Sequence, residues 1–105
     1  LAKIGQMCLN KGIYNDKQIV SSKWIEQITT PYIKCDEKFA FMQYGYLWWI
    51  IDEEKKIYSA IGDSGNVIYV NTDKNIVISV TATFKPLVFD RVQFIQKYIE
   101  PFITE

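Results

Sequence analysis

Three stretches of this chain decide its fold, because each is rich in the aromatic and β-branched residues that favour strands. Tyr44–Ile51 reads YGYLWWII, Tyr58–Val70 reads YSAIGDSGNVIYV and Asn75–Val80 reads NIVISV. Turn-forming or charged residues separate the apolar runs, at Asp52–Lys56, Gly62–Gly65 and Asn71–Asn75. This spacing predicts an antiparallel meander in which each strand pairs with the next one along the chain.

The runs also predict where the individual strands begin and end. The expected strands are Tyr44–Ile51, Ile57–Ile61, Val67–Val70 and Ile76–Thr83. In the first of these both alternating sets of side chains are large or apolar, so we expect protein on both of its faces. The preceding segment, Pro31–Lys38, is predicted to be a loop.

Helical patterns precede the predicted sheet. Leu1, Ile4 and Cys8 have helical spacing within Leu1–Leu9, and Gly12 can take the positive φ that ends such a helix. After a turn at Tyr14–Lys17, a second helix is predicted over Lys23–Thr29. Ser21 or Ser22 would cap its free N–H groups, and Pro31 would end it.

A third helical pattern follows the sheet. Its apolar residues form one stripe at helical spacing, namely Val88, Val92, Ile95, Ile99 and Phe102. The pattern predicts a helix that begins after Pro86, ends at Pro101 and packs on the sheet. The predicted fold class is therefore α+β, a single domain over residues 1–105 with N-terminal helices and a C-terminal helix packed on an antiparallel meander.

Composition excludes several classes of function. The 105 residues hold 12 basic and 12 acidic side chains and 49% hydrophobic residues, so a folded core is expected and nucleic acid is not an expected partner. The longest apolar run, Leu47–Ile51, is too short to cross a membrane. Cys8 and Cys35 have no histidine partners and no C-x-x-C spacing, so we predict no metal site and no cofactor.

Gly62-Asp63-Ser64-Gly65 has the form of a serine-protease motif. A serine hydroxyl needs a base to remove its proton, and in that protease context the base is a histidine. The chain contains no histidine, so Ser64 is not expected to be a nucleophile. The same four residues are also typical of a hairpin turn, and this simpler interpretation is favoured.

Five blocks of sequence, in the same order, resemble a known group of enzymes. Leu1–Gly12 (LAKIGQMCLNKG) resembles D-L-A-K-x-G-x-x-x-L-N-x-G, and Lys17–Ile25 (KQIVSSKWI) resembles G-x-x-I-V-S-x-x-W-I. Tyr44–Trp49 resembles Y-G-Y-x-W-W, Ala60–Gly62 resembles A-x-G, and Gly65–Val70 resembles G-x-x-I-x-V. Together they are similar to the C-terminal part of the β-lactamase-related serine hydrolases, which include class C β-lactamases and penicillin-binding-protein-like enzymes.

The resemblance implies part of a β-lactamase/transpeptidase-like fold and a role in hydrolysing amide or ester bonds of a small molecule or peptide. Family members use an S-x-x-K motif, a Y-x-N motif and a strand motif of the K-T-G type. Ala60-Ile61-Gly62 corresponds to the strand motif, with Ala in the place of Lys. Ser21-Ser22-Lys23 lacks the S-x-x-K spacing, so the resemblance implies no catalytic residue in this chain.

Substrate-binding residues are expected at this strand end, namely Ala60, Ile61, Gly62 and Asp63. The N–H of Asp63 would contribute to an oxyanion hole, a contact worth about 3 kcal/mol in such sites. Gly62 and Gly65 would let a substrate approach the backbone closely and would let the turn take positive φ.

Two hypotheses remain open from the sequence. In the first, the chain is the C-terminal fragment of a larger serine hydrolase domain and is inactive alone; the lack of a capping residue before the first helix favours this. In the second, it is a small non-catalytic α+β module that binds a partner or itself. In a fragment of the resembling enzymes the apolar edge Ile76–Thr83 would lack its pairing strand, so we expect homo-oligomers through this edge or by exchange of the first helix.

Overall fold

A computed structural model describes residues 1–36, 42–62, 65–82 and 91–103 of the chain. The helices before the sheet are α1 (Ala2–Leu9) and α2 (Ser22–Ile28). The strands are β1 (Ile13–Tyr14), β2 (Lys17–Gln18), β3 (Ile33–Lys34), β4 (Gln43–Tyr44), β5 (Trp49–Asp52), β6 (Ile57–Ile61), β7 (Val67–Asn71) and β8 (Ile76–Val80). The C-terminal helix consists of α3 (Arg91–Phe94), a π-helical turn (Ile95–Ile99) and α4 (Glu100–Ile103).

The main sheet is an antiparallel meander, as predicted. Its six strands lie in the order β3-β4-β5-β6-β7-β8, so every strand pairs with its neighbour in sequence. Strands β6 and β7 pair along their whole length, from Ile57 opposite Asn71 to Ile61 opposite Val67. Strands β1 and β2 form a separate hairpin, whose turn residues Asn15 and Asp16 take positive φ. This hairpin confirms the turn predicted at Tyr14–Lys17.

The core has two layers, one on each face of the sheet. The N-terminal layer joins α1 and α2 to the sheet through Cys8, Ile25, Trp48, Ile50, Tyr58, Ile68 and Val70. The C-terminal layer joins the C-terminal helix to the other face through Ile57, Val67, Tyr69, Ile78, Val92 and Ile95. Because successive strand residues point to opposite faces, β6 and β7 contribute alternate side chains to each layer. The predicted fold class is confirmed.

Helix α1 packs closely on β7 and β8, and Gly5 makes this contact possible. A Cβ atom at Gly5 would lie 2.6 Å from Val77 Cγ1 and 2.8 Å from Ile68 Cγ2. At the end of the helix Gly12 has φ of +91°, as its position in the sequence predicts. For α2, Ser21 is the cap, because the N–H of Trp24 donates to its Oγ at 3.0 Å.

The predicted strand Tyr44–Ile51 is wrong in its first part, because Tyr44–Trp49 contains a hairpin turn and β5 begins only at Trp49. Tyr44 pairs with Trp49 across that turn, the N–H of Gly45 donates to the Trp48 carbonyl at 2.8 Å, and Leu47 has φ of +69°. The N–H of Tyr46 donates to the carbonyl of Ile28 at the end of α2, at 2.9 Å. This bond to another element holds the turn, and local alternation of side chains cannot reveal it.

The segment expected to be a loop contains a short strand. Ile33 and Lys34 form β3, in register with Tyr44 and Gln43. A strand of two residues is too short to produce a recognisable pattern of alternation. At the other edge of the sheet β8 ends at Val80, not at Thr83, and Thr83 lies outside the described residues.

The C-terminal helix differs from the predicted one in its second half. Val92 and Ile95 are buried as expected, but the helix continues through Pro101 and Phe102 is 86% exposed. The cause is the π-helical turn, in which the N–H of Glu100 donates to the Ile95 carbonyl. One extra residue in a turn rotates all later residues around the helix axis. Glu100 therefore faces the sheet in place of Phe102, and Val88 lies outside the described residues.

Candidate functional site

The predicted substrate-binding residues lie at the end of β6. Ala60 and Ile61 are half-buried and point to opposite faces of the sheet, Ala60 towards the N-terminal layer and Ile61 towards the C-terminal layer. Gly62 follows directly and is also half-buried. Asp63 and Ser64 lie outside the described residues, so the structure does not test the expected oxyanion contact. The described part of the predicted substrate-binding site therefore consists of the end of β6 and its backbone.

Backbone hydrogen bonds fix the turn that follows β6. The N–H of Gly62 donates to the Asn66 carbonyl at 2.8 Å, and the N–H of Gly65 donates to the Gly62 carbonyl at 3.1 Å. The Asn66 side chain then accepts from the N–H of Ala82 at 2.9 Å, which ties the end of β8 to the same turn. The end of β6, the start of β7 and the end of β8 thus lie together at one end of the sheet, with β7 in the middle.

The two glycines of this turn have different roles. Gly65 has φ of +90°, so its position in the turn requires glycine. Gly62 does not have positive φ, which corrects that part of the expectation. A Cβ atom at Gly62 would meet nothing nearer than Asn66, at 3.6 Å, so the described residues leave room for a side chain there. Among the residues that the structure describes, neither backbone conformation nor packing requires glycine at this position.

Two aromatic side chains adjoin the same end of the sheet. Trp49 is the first residue of β5 and lies opposite Ser59 of β6, and its ring contacts that of Tyr44 edge-to-face at 4.7 Å. Trp48 is buried in the N-terminal layer, as expected for a core residue. Tyr46 instead is 50% exposed and stacks on Tyr32 at 4.7 Å. The aromatic side chains of the segment Tyr44–Trp49 are thus divided between the core and the surface.

The chemistry available at this site is limited to shape and backbone polarity. Ala60, Ile61 and Gly62 carry no ionisable side chain, and the chain contains no histidine. The Ser59 hydroxyl is buried and donates to the Ile68 carbonyl at 2.9 Å, so it serves the sheet. Among the described residues this strand end can position a substrate, but it offers no nucleophile and no base.

The chain contains a sequence with Y-x-N spacing that was missed above, where only the K-T-G-type strand motif was matched to residues of this chain. Tyr69-Val70-Asn71 has this spacing, but it forms the second half of β7, and both polar side chains are fully buried under the C-terminal helix. Burial, together with a hydrogen bond to Glu100, raises the pKa of Tyr69 well above its usual value. With its pKa raised, the Tyr69 phenol stays protonated near neutral pH and cannot act as a general base. This pair therefore has a structural role.

That role is to join β7 to the C-terminal helix through polar contacts. Asn71 Nδ2 donates to Glu100 Oε1 at 3.1 Å, and Lys74 Nζ lies 3.3 Å from the same oxygen. Gln96 Nε2 donates to the Tyr69 hydroxyl at 3.2 Å. Glu100 reaches these partners only because the π-helical turn directs it towards the sheet. This cluster could not be predicted from the sequence, because the helical period points Glu100 to solvent.

Two other kinds of site were sought in the described parts of the chain. Within residues 1–36, 42–62, 65–82 and 91–103, histidine, cysteine, aspartate and glutamate form no group of three or more that could hold a metal ion. The helices found in these same ranges are all too short or too polar to span a bilayer.

The architecture and the strand-end site define the class of fold. A six-stranded antiparallel meander, with N-terminal helices on one face and a C-terminal helix on the other, has the arrangement of a β-lactamase-like fold. The sequence itself matches no protein-family model and no curated protein.

A solved structure shares this arrangement. The chain is similar to a protein described as "Putative 6-aminohexanoate-dimer hydrolase from Bacillus anthracis", with a TM-score of 0.63 and 23% sequence identity. The match covers 95% of this chain and 26% of that protein, so the chain spans about a quarter of that protein's length. At this level of identity the likeness shows the fold.

Proposed function

We propose that this chain is the C-terminal part of a serine hydrolase that cleaves amide or ester bonds by acyl transfer. Its role would be to form one wall of the substrate pocket, at the end of β6. The nucleophile, its activating lysine and its tyrosine would belong to another part of the same protein. Alone, the chain would be inactive.

The observation that carries this proposal is that the described residues would accommodate a Cβ atom at Gly62. Glycine in a strand or at its end weakens folding unless something requires it. Here the described residues would accept a side chain, since the nearest atoms to a Cβ would be 3.6 Å away. A substrate that lies against the backbone supplies the missing reason, because a side chain would occupy its place. The β-lactamase-like fold, shared with a protein described as a hydrolase, supports the same conclusion.

The expected donors of this wall are backbone groups. The N–H of Gly62 is already bonded to Asn66, so it is not free to bind a substrate oxygen. The N–H of Asp63 remains the donor expected from the sequence. Since position 60 is alanine, the wall lacks the cation that would attract a carboxylate. We therefore propose a neutral ester, amide or peptide as substrate in preference to a β-lactam.

The test begins with the coding sequence upstream of Leu1. The proposal expects an in-frame S-x-x-K motif there, and the longer protein should hydrolyse a p-nitrophenyl ester. In that protein Gly62→Val should lower kcat/KM at least about tenfold, because the side chain blocks the substrate. A valine at the exposed Lys17 is the matched control and should leave kcat/KM unchanged. An upstream sequence without S-x-x-K, or full activity of Gly62→Val, would refute the proposal.

A second candidate is a self-associating module. It is favoured by the position of β8 at the end of the sheet, where its described pairing partner is β7 alone. Ile76–Val80 has the sequence IVISV, with no charge or proline to discourage pairing with another strand. We propose that two copies join through this edge, whether or not the protein is an enzyme.

A further inference from the structure

A cavity of about 780 Å³ lies at the end of the sheet opposite to Gly62. It is bordered by the end of α1, by α2 and by the turns that precede β6 and follow β7, and it is partly open to solvent. The cavity reaches β6 at Ile57 and Tyr58, and the strand-end site begins two residues further on at Ala60, roughly 7 Å along the strand. The volume falls in the range that holds small organic ligands, about 300–1,000 Å³. It is therefore a second place in the molecule where a small molecule could bind.

A tyrosine hydroxyl opens into the cavity. Tyr58 lines the cavity and is only 4% exposed as a whole residue, but its hydroxyl keeps contact with solvent and forms no hydrogen bond with any residue that the structure describes. The ring is held by Trp48, which contacts it edge-to-face at 5.2 Å. The hydroxyl can therefore bond either to solvent or to a ligand that presents an acceptor in the cavity.

The hydroxyl is suited to donate that bond. Burial raises the pKa of Tyr58 far above its usual value, with a smaller contribution from Cys8. The phenol therefore stays protonated at physiological pH, and a ligand that meets it has to present an acceptor such as a carbonyl, ether or hydroxyl oxygen. Cys8 and Ile25 are buried beside it and make the floor apolar.

The rim of the cavity carries a surplus of positive charge. Lys11, Lys23 and Lys56 line it together with only Glu26 and Glu53, and all five side chains are exposed. Among the described residues none of these lysines lies within 4 Å of a carboxylate oxygen. Their ammonium groups remain available to a ligand. Because the rim has one more positive than negative side chain, it would be balanced by a ligand with one negative charge.

We propose that this cavity binds a small organic carboxylate with an apolar body. The body fills the space over Cys8 and Ile25, an acceptor atom receives the Tyr58 hydroxyl, and the carboxylate lies among the rim lysines. A purely apolar ligand would displace solvent from the Tyr58 hydroxyl without replacing its hydrogen bond. An inorganic anion would leave the apolar floor empty. The inference does not depend on the proposed hydrolase function, because it uses none of the residues of the strand-end site.

The test uses naphthalene-2-carboxylate as probe and its neutral isostere naphthalene-2-carboxamide as control. Titrated into the ¹⁵N-labelled chain, the carboxylate should give saturable shifts at the amides of Cys8, Ile25 and Tyr58. The carboxamide should bind at least about fivefold more weakly, because it has no charge for the lysines. Equal binding of the two probes, or no saturation up to about 1 mM carboxylate, would overturn the proposal.

Variants separate the two polar contacts. Tyr58→Phe keeps the ring and should weaken carboxylate binding about fivefold, the effect of one hydrogen bond. The triple variant Lys11→Gln, Lys23→Gln, Lys56→Gln should remove the preference for carboxylate over carboxamide while leaving the fold intact, since all three lysines are exposed. Lys97→Gln, on the C-terminal helix, is the matched control and should change nothing. Unaltered affinity and preference in both cavity variants would contradict the assignment.

Discussion

Asn71 of β7 donates a hydrogen bond to Glu100 of the C-terminal helix across 3.1 Å, and both side chains are buried. The two residues are 29 positions apart in the chain. Their contact depends on the π-helical turn, which directs Glu100 towards the sheet. The C-terminal helix is thus attached to the sheet by a specific polar contact as well as by apolar packing.

Removing Glu100 should therefore weaken folding measurably. We expect Glu100→Ala to lower the free energy of unfolding by about 1–3 kcal/mol, because it leaves Asn71 buried without this partner. The measurement is urea denaturation followed by circular dichroism. Lys74→Gln is the control: the Lys74 side chain is 46% exposed, so its ion pair with Glu100 should contribute less than about 1 kcal/mol. Equal losses in the two variants would contradict this account.

The contact between α1 and the sheet predicts a cost for any side chain at Gly5. Gly5→Ala should destabilise the protein by about 1–3 kcal/mol, since the new methyl group would lie against Val77 and Ile68. Adding Val77→Ala should recover part of that loss, so the double variant would be more stable than the sum of the single effects predicts. Additive losses would indicate that α1 does not approach the sheet so closely.

Gly62→Ala is the matched comparison, because there the described residues leave room for the methyl group. We expect its free energy of unfolding to change by less than about 1 kcal/mol. The expected direction is an increase, because alanine restricts the unfolded chain more than glycine does. A large loss of stability at Gly62 would mean that folding requires this glycine. The argument for a substrate at this position would then fail.

Stability should fall at alkaline pH because two tyrosines are buried. The pKa values of Tyr58 and Tyr69 are both raised in the folded chain, mainly by burial. Above about pH 10, the ordinary tyrosine pKa, the unfolded chain releases these protons while the folded chain keeps them. The stabilisation is complete below that pH and is lost as the pH rises further. Urea denaturation between pH 8 and 11, about the range in which tyrosines ionise, should show this fall.

The variant Tyr58→Phe/Tyr69→Phe isolates the contribution of the two phenols. Its free energy of unfolding should depend less steeply on pH above about pH 10, because it lacks the two phenol protons whose release is linked to unfolding. If the variant and the original chain lose stability in parallel, the alkaline effect belongs to other groups.

Pairing through β8 predicts self-association. Sedimentation velocity at roughly 50 µM, a concentration at which exposed edges associate, should show a dimer or a larger assembly. Ser79→Lys places a charge on the edge strand and should shift the population towards monomer. Lys17→Gln, in the β1–β2 hairpin, is the control and should sediment like the original chain. A monomer at this concentration would exclude the proposed interface.

The sequence predicted those parts of the fold that rest on local pattern. The runs Ile57–Ile61 and Val67–Val70 lie within strands because their apolar residues are long enough to show alternation and are bounded by turns. The hairpin turn at Tyr44–Trp49 escaped prediction because the carbonyl of Ile28, from α2, holds it. The inward position of Glu100 depends on a π-helical turn, and the helical period gives no sign of one.

The candidate site was predictable only in part for the same reason. Ala60, Ile61 and Gly62 could be placed at a strand end from sequence order and from resemblance to a family. The room for a Cβ atom at Gly62 and the opening of the Tyr58 hydroxyl into a cavity are properties of how the folded elements pack. Such properties appear only once the chain is folded.

The most direct test of the central claim is covalent labelling of the purified 105-residue chain with a fluorophosphonate, read out by intact mass and peptide mapping. If the chain contributes a pocket wall but no activated hydroxyl, it should take up no stoichiometric label and should not hydrolyse a p-nitrophenyl ester. Stoichiometric labelling at Ser64 would show that the chain activates its own nucleophile, and the account would be wrong.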